Sequence, residues 1–209
     1  MNLIANLINA LTRPDRWPLV AVAASGALLL GALAFEVFGN YPPCPLCIDQ
    51  RWHHIYVLIA GVGGFAIIIA VRALGPKAAR DAADAMQPIV AGSRLKRFWL
   101  ALKAPAGGAS MVCLVLMVLF AWSAWAAGYH AGGEWGWWPL DCQLADTDSI
   151  SIDDVLGALG TAQNVVPCDE AAWRMFGISM AGYNALISAV LAVSSLIAAC
   201  RPPSWRPSL

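Results

Sequence analysis

The chain has 209 residues, of which 59% are hydrophobic and 12% are charged, with a formal net charge of +0. A soluble domain carries roughly 25% charged residues, so this composition excludes an ordinary soluble domain and favours a membrane protein. The neutral charge, without a basic patch interleaved with stacking aromatics, argues against a nucleic-acid partner.

Four apolar stretches are long enough to cross about 30 Å of hydrocarbon, which takes roughly 20 helical residues. In chain order they are residues 17–38, 52–71, 109–129 and 175–199. These lengths suit helices rather than barrel strands, so the sequence predicts an all-α, polytopic four-helix bundle that forms a single membrane domain over residues 1–209. Four buried helices of a soluble protein are the alternative, but the runs are long and almost free of charge.

The first span follows Arg13 and Arg16 and contains Ala-Leu-Ala at 32–34, which resembles a signal-peptide cleavage site. However, its apolar run is longer than the roughly 7–15 residues of a cleaved signal core. We therefore expect a retained signal anchor, with cleavage as the alternative.

The positive charges predict the orientation, because Lys and Arg accumulate on the cytoplasmic side. All but two of the 13 Lys and Arg residues fall on one side of the predicted bundle. The two exceptions are Arg51 and Arg174. We therefore predict that both termini and the 72–108 loop are inside, and that the 39–51 and 130–174 loops are outside.

The predicted topology sorts the cysteines. Four of the six lie in the outer loops: Cys44, Cys47, Cys142 and Cys168. Four cysteines on an oxidising face form the even set that disulfide chemistry requires. Cys113 lies within the third span and Cys200 at the cytoplasmic end of the fourth, so we interpret both as small apolar packing residues.

Two of the outer cysteines form a CxxC motif in the segment YPPCPLCIDQR, residues 41–51. We expect the second helix to begin near Cys47, where the thiol meets free backbone N–H groups and the positive end of the helix dipole. Arg51 follows one helical turn later on the same face. Both effects favour the thiolate, so Cys47 is predicted to be an activated sulfur, with Arg51 suited to an anionic or carbonyl oxygen of a ligand.

A CxxC motif can also bind a metal ion or form a static disulfide bridge. Zinc usually takes four N or S ligands from paired motifs. His53 and His54 are near, but they fall just inside the second span, and Cys142 and Cys168 form no second CxxC. We favour a redox-active pair and assign no metal ligands, while metal binding and a structural bridge remain the alternatives.

The second outer loop contains an amphipathic pattern over residues 151–161, which predicts a short helix. That helix lies flat on the membrane or packs on the bundle. Within the spans, Asn184 is polar and is predicted to face another helix. Glu36 is expected at the membrane interface, and His53 and His54 are expected to pack or form hydrogen bonds there.

The combined pattern resembles the disulfide bond formation protein B (DsbB) family. The matching features are CPLCIDQR after the first span, His130 at the outer end of the third, and the pair Cys142 and Cys168 in the second outer loop. The segments AGYHAGGEWGWWP and PCDEAAWRMFGISMAGYNALIS are similar to the alphaproteobacterial branch. The resemblance covers residues 17–199, although the 72–108 loop is longer than expected for the family.

The resemblance implies a multi-pass protein of the bacterial inner membrane whose redox loops face the periplasm. It implies a disulfide-generating enzyme, a protein-thiol:quinone oxidoreductase. The enzyme would reoxidise a periplasmic DsbA-like thiol oxidoreductase and pass the electrons to ubiquinone, or to menaquinone, in the lipid bilayer.

The resemblance also implies a role for each outer cysteine. Cys142 would form the mixed disulfide with the DsbA-like donor, and Cys168 would leave and exchange with Cys44. Cys47 would then reduce the quinone. Such a relay requires a thiolate attacker and accessible sulfurs.

By the same resemblance, Arg51 and His130 border the quinone head. Two alternatives are a vitamin K epoxide reductase-like thiol/quinone enzyme and a non-enzymatic metal-binding or structural membrane protein. In the former we expect the CxxC near the end of a late helix, after the loop cysteines. Here the CxxC comes first, which favours the DsbB family.

Overall fold

The computed structural model of the chain describes residues 9–73, 105–140 and 167–201. Within these residues, four helices are long and apolar enough to cross a membrane. The helices are α1 (Trp17–Val37), α2 (Pro45–Ala73), α3 (Pro105–Glu134) and α4 (Met180–Ala199), and a hairpin of β1 (Arg174–Met175) and β2 (Ile178–Ser179) precedes α4. The predicted all-α, polytopic membrane bundle is confirmed. The predicted helix at 151–161 lies outside the described residues.

Helices α2 and α3 are longer at their outer ends than the predicted spans. Helix α2 begins at Pro45 rather than at residue 52. A proline at the first helical position gives up no hydrogen bond and has a suitable φ already fixed. Helix α3 continues to Glu134 rather than ending at 129. Residues 130–134 are therefore helical where a loop was expected, and α2 begins two residues before the helix start expected near Cys47.

Residues 175–179, predicted as the start of the fourth span, instead belong to the β1–β2 hairpin. Phe176 and Gly177 at its tip have φ angles of 51° and 80°. Positive φ at both central residues defines the tight turn whose twist matches that of a hairpin. Ser179 then caps α4, because its Oγ accepts the backbone N–H of Gly182 at 3.1 Å.

The helices pack unevenly around the core. Helix α3 lies along α4, and α2 contacts both α1 and α3, whereas α1 and α4 make few contacts with each other. The core is lined by Trp17, Ala21, Val57, Cys113, Leu116, Phe120, Leu191, Ala192 and Ala198. The sparse contact between α1 and α4 leaves room for a cavity between them.

Polar side chains inside the bundle form hydrogen bonds between helices. The Oγ atoms of Ser123 on α3 and Ser188 on α4 lie 3.2 Å apart. Trp17 at the start of α1 donates its indole N–H to Ser195 Oγ at 2.8 Å near the end of α4. Such small polar residues allow close helix packing in a membrane, where apolar surface gains nothing by leaving lipid.

We predict that Gly61→Leu disrupts the packing of α2 on α1. A Cβ at Gly61 would lie 2.6 Å from Val22 Cγ2 and 3.2 Å from the carbonyl oxygen of Pro18. Overpacking of this kind costs about 1–3 kcal/mol of the free energy of unfolding. The matched control is Gly63→Leu, because a Cβ there meets no atom within 4 Å. Thermal stability in detergent should fall for Gly61→Leu alone, and equal stability of the two variants would contradict the prediction.

Candidate active site

The CxxC motif stands at the first turn of α2. Because α2 begins at Pro45, Cys44 occupies the capping position and Cys47 lies in the first turn. Cys44 Sγ accepts the backbone N–H of Cys47 at 3.2 Å, and its thiol lies 2.7 Å from Cys47 Sγ. The sequence placed the start of this helix near Cys47, and the structure places it two residues earlier, at Pro45, so that Cys47 lies within the first turn.

The two thiols are inequivalent. Both are free, but Cys44 is buried whereas Cys47 is partly exposed. The pKa of Cys44 is raised far above its ordinary value, first by the hydrogen bond to the Cys47 sulfur and then by burial. Cys44 therefore keeps its proton and donates it toward Cys47, which is the hydrogen-bond acceptor of the pair.

His130 lies beside the cysteine pair and is almost fully buried, with 2% of its surface exposed. Its Nε2 lies 3.7 Å from Cys44 Sγ and 3.2 Å from the backbone carbonyl oxygen of Cys168. Its Nδ1 lies 2.8 Å from the Gln50 side-chain nitrogen. With Nδ1 accepting from Gln50, Nε2 carries the proton and donates to Cys168.

The contact with Gln50 is the first of a chain of hydrogen bonds that runs into the bundle. Asn184 Nδ2 donates to Gln50 Oε1 at 2.8 Å, and His54 Nε2 lies 2.9 Å from Asn184 Oδ1. Ser25 Oγ lies 3.4 Å from His54 Nδ1. All four helices contribute to this chain, and each member has a partner for its polar atoms, as burial in lipid requires.

Arg51 lies at the same end of α2, one turn after Cys47. Its Nη1 donates to Glu36 Oε2 at 2.6 Å, which makes a partly buried ion pair between α1 and α2. The guanidinium has five N–H groups, so this bond leaves donors for a ligand. Glu36 is thus more than an interfacial residue, because it holds Arg51 in position.

A cavity of about 350 Å³ opens beside these residues. Its apolar walls come mainly from α1 and α4, and residues of the β1–β2 hairpin and the preceding loop cover one side. Cys44, Cys47, Arg51 and His130 line it, so four predicted site residues meet at one place. Cys142 lies outside the described residues. Cys168 does not line the cavity, but its carbonyl group contacts His130.

Cys168 is buried, with 1% of its surface exposed, and is disulfide-bonded. The four other described cysteines are free, so none of them is its partner. The described state therefore combines a disulfide at Cys168 with a dithiol at Cys44 and Cys47.

Sequence reasoning missed several residues of this site. Gln50 and His54 share a face of α2 with Cys47 and Arg51, at spacings of three, four and seven residues. That periodicity could have singled out Gln50 from the sequence. Asn184 was predicted to face another helix, and its bonds to Gln50 and His54 agree with that. Nothing in the sequence alone indicated that these bonds would lead to His130.

Comparison with known proteins gives one family. The sequence matches the model of the family described as Disulfide bond formation protein DsbB over residues 14–198. A 50-residue segment is 46% identical to Disulfide bond formation protein B 2 of Burkholderia lata, and it covers 23% of this chain and 29% of that relative. The alignment thus spans less than a third of the relative. No solved structure matches the chain significantly.

The fold and the site define a helical membrane protein with a dithiol at the end of its bundle. The family match extends over most of the chain, so the chain belongs to the DsbB family of disulfide bond formation proteins. The family membership predicted from CPLCIDQR, His130 and the outer cysteines is confirmed.

The raised pKa of Cys44 predicts how stability depends on pH. The ordinary pKa of a cysteine thiol is 9.0. Above that pH the unfolded chain loses the Cys44 proton while the folded dithiol keeps it, so the stability that Cys44 contributes below pH 9 is lost as the pH rises. The reduced protein should lose up to about 1.4 kcal/mol of unfolding free energy per pH unit above this point.

Thermal melting of the reduced and the oxidised protein above about pH 9 tests this, because a Cys44–Cys47 disulfide does not titrate. Groups elsewhere in the chain titrate in both forms and cancel in the difference. Parallel loss of stability in the two forms would contradict the prediction.

Proposed function

We propose that this protein is a protein-thiol:quinone oxidoreductase that reoxidises a periplasmic DsbA-like dithiol and passes the electrons to membrane ubiquinone. One observation carries the proposal: the CxxC sulfurs line a largely apolar cavity between α1 and α4, which make few contacts with each other. A lipid-dissolved electron acceptor would reach the dithiol there without crossing water.

The cavity suits a quinone head group. Its volume of about 350 Å³ lies within the roughly 300–1,000 Å³ of small-molecule sites, and its walls are mostly apolar. Its few polar groups include Arg51 and His130, which the family resemblance places at the quinone head. The unpaired donors of Arg51 would hold a carbonyl oxygen and stabilise negative charge that develops on it.

On the cavity side, the reaction begins from the described dithiol state. A bound quinone supplies an acceptor for two electrons and two protons. The Cys44 and Cys47 thiols give up two electrons and two protons as the bond between their sulfurs forms. The hydrogen bond from Cys44 to Cys47 holds the two sulfurs 2.7 Å apart, so they need little movement to join.

On the donor side, we propose that one thiol of the DsbA-like partner attacks Cys142 in the disulfide that contains Cys168, and that Cys168 leaves. Cys168 would then attack Cys44 in the oxidised CxxC pair and release Cys47 as the leaving sulfur. The donor's second thiol would release the oxidised donor from Cys142, and Cys142 would attack Cys168, which restores their disulfide and leaves Cys44 and Cys47 as the dithiol. The bond from His130 to the Cys168 carbonyl, next to Cys44, supports this exchange because it keeps the two chain segments together.

The positive charges and the family support a bacterial inner-membrane location, with both termini cytoplasmic and the redox loops periplasmic. The family resemblance implies ubiquinone or menaquinone as the acceptor, and ubiquinone is the first to test.

The decisive experiment supplies the purified full chain in detergent with reduced DsbA and ubiquinone, and follows quinone reduction by ultraviolet absorbance. Turnover should occur, and should be lost in Cys44→Ala and in Cys142→Ala. Cys200→Ala is the matched control, because Cys200 is exposed at the far end of α4 and should leave turnover unchanged. The relay would be refuted if Cys44→Ala still turned over. It would also be refuted if the unaltered protein did not oxidise the supplied DsbA.

The Arg51 assignment has its own test. Arg51→Gln removes a charged hydrogen bond worth about 1.5–3 kcal/mol, so the KM for ubiquinone should rise roughly ten- to hundredfold. Arg174→Gln is the control, because Arg174 carries the same charge but does not line the cavity and instead donates to the Glu134 carbonyl. An unaltered KM in Arg51→Gln would remove Arg51 from the quinone site.

A further inference from the structure

The cysteine pair and His130 form a cluster whose ligand atoms suit a metal ion. The two Sγ atoms and the imidazole nitrogen lie within 4.8 Å of one another. In a tetrahedral zinc site, with Zn–S near 2.3 Å and Zn–N near 2.0 Å, ligand atoms stand about 3.3–3.8 Å apart. The separation of 3.7 Å between Cys44 Sγ and His130 Nε2 already falls in that range. The two sulfurs would have to separate by about 1 Å.

A fourth ligand is available in Glu134, one turn after His130 on α3. Its side chain is 7% exposed, and Oε1 lies 3.6 Å from His130 Nε2. Its other oxygen, Oε2, is buried without a hydrogen-bond partner. An unpartnered carboxylate oxygen in a buried site is costly, and a cation would satisfy it.

We infer that the reduced protein binds one Zn²⁺ ion through Cys44, Cys47 and His130, with Glu134 as the fourth ligand. A carboxylate, an imidazole and two thiolates around one ion are a ligand set that zinc accepts. The bound ion would hold the dithiol out of turnover, and this regulatory consequence rests on the proposed function.

The environment of His130 supplies the support that a metal-bound histidine requires. A ligating imidazole is fixed by a hydrogen bond at its other nitrogen. Here Gln50 holds Nδ1 at 2.8 Å and leaves Nε2 facing the sulfurs. Rotation of the Gln50 carboxamide, with a matching rotation of Asn184, presents an oxygen to Nδ1. That rotation moves the imidazole proton to Nδ1 and frees the Nε2 lone pair for the ion.

Metal binding would depend on redox state and on pH. Zn²⁺ displaces one proton from each thiol, so binding releases two protons and strengthens as the pH rises. The oxidised pair offers no thiolate and cannot hold the ion. The site therefore exists only in the dithiol state.

Cobalt is the probe for ligand identity, and zinc is the probe for stoichiometry. The full chain carrying Cys142→Ser and Cys168→Ser is reduced, freed of reductant and titrated with Co²⁺. We expect thiolate-to-cobalt absorption with tetrahedral visible bands, and one Zn²⁺ bound per chain by equilibrium dialysis. Oxidation of the same sample should abolish both signals, which compares the two redox states of one chain without a further substitution.

Variants assign the ligands. With Cys44→Ser or Cys47→Ser added, the chain should lose the thiolate-to-cobalt absorption that the intact cysteine pair gives. Glu134→Gln should weaken affinity at least about tenfold, the lower bound for losing even an indirect metal contact. Glu170→Gln is the control, because Glu170 lines the same cavity and carries the same charge but is exposed. Equal affinity of the Glu134 and Glu170 variants would exclude Glu134 as a ligand.

Absent thiolate absorption in the reduced chain, or absorption that persists after oxidation, would overturn the metal site. These readouts need neither quinone nor donor, so they fail independently of the proposed function. Where turnover is present, added Zn²⁺ should inhibit it reversibly, with recovery on chelation. Turnover insensitive to saturating Zn²⁺ would overturn the regulatory role.

Discussion

The hydrogen bond between Gln50 and His130 is the contact on which the site depends. It joins the outer ends of α2 and α3, and Asn184 extends it to α4. Hydrogen bonds between membrane helices contribute only about 0.6 kcal/mol each on average, so this chain adds little to stability. Its main consequence is orientation, because it fixes which imidazole nitrogen faces Cys44 and the Cys168 carbonyl.

The cavity follows from the uneven packing of the bundle. Close contacts join α1 to α2 and α3 to α4, and the Ser123–Ser188 pair links α3 to α4, whereas α1 and α4 make few contacts with each other. The β1–β2 hairpin replaces the first residues of the expected fourth span, and its Met175 lines the cavity. The result is a largely apolar cavity between α1 and α4 with both thiols in its lining.

The capping position of Cys44 gives the two thiols different environments. A capping side chain normally offers oxygen to the helix N–H groups, and here a sulfur takes that place. Cys44 is buried and keeps its proton, whereas Cys47 is partly exposed and accepts the hydrogen bond from the Cys44 thiol. The same arrangement serves disulfide formation and the proposed capture of a metal ion, because both begin from two adjacent thiols.

The sequence alone was enough to predict the membrane class, four membrane helices, the family and the local placement of Cys44 and Cys47, whereas Gln50 and His54 at the same cavity were missed. Hydropathy and cysteine spacing encode these features locally, in runs of apolar residues and in the short motif around Cys44 and Cys47. It also placed Arg51 on the face of Cys47, because helical periodicity is a local property.

Tertiary structure alone decided how those residues are connected. The pairing of Arg51 with Glu36, the orphan oxygen of Glu134 and the link from Gln50 through Asn184 to His54 each depend on how two or more helices are placed. The start of α4 also shifted, because a hairpin takes the place of its expected first residues, and α2 begins earlier than expected, directly after the capping Cys44. Spacing within one helix cannot encode a contact whose partner lies more than 100 positions away in the chain, as Asn184 does from Gln50.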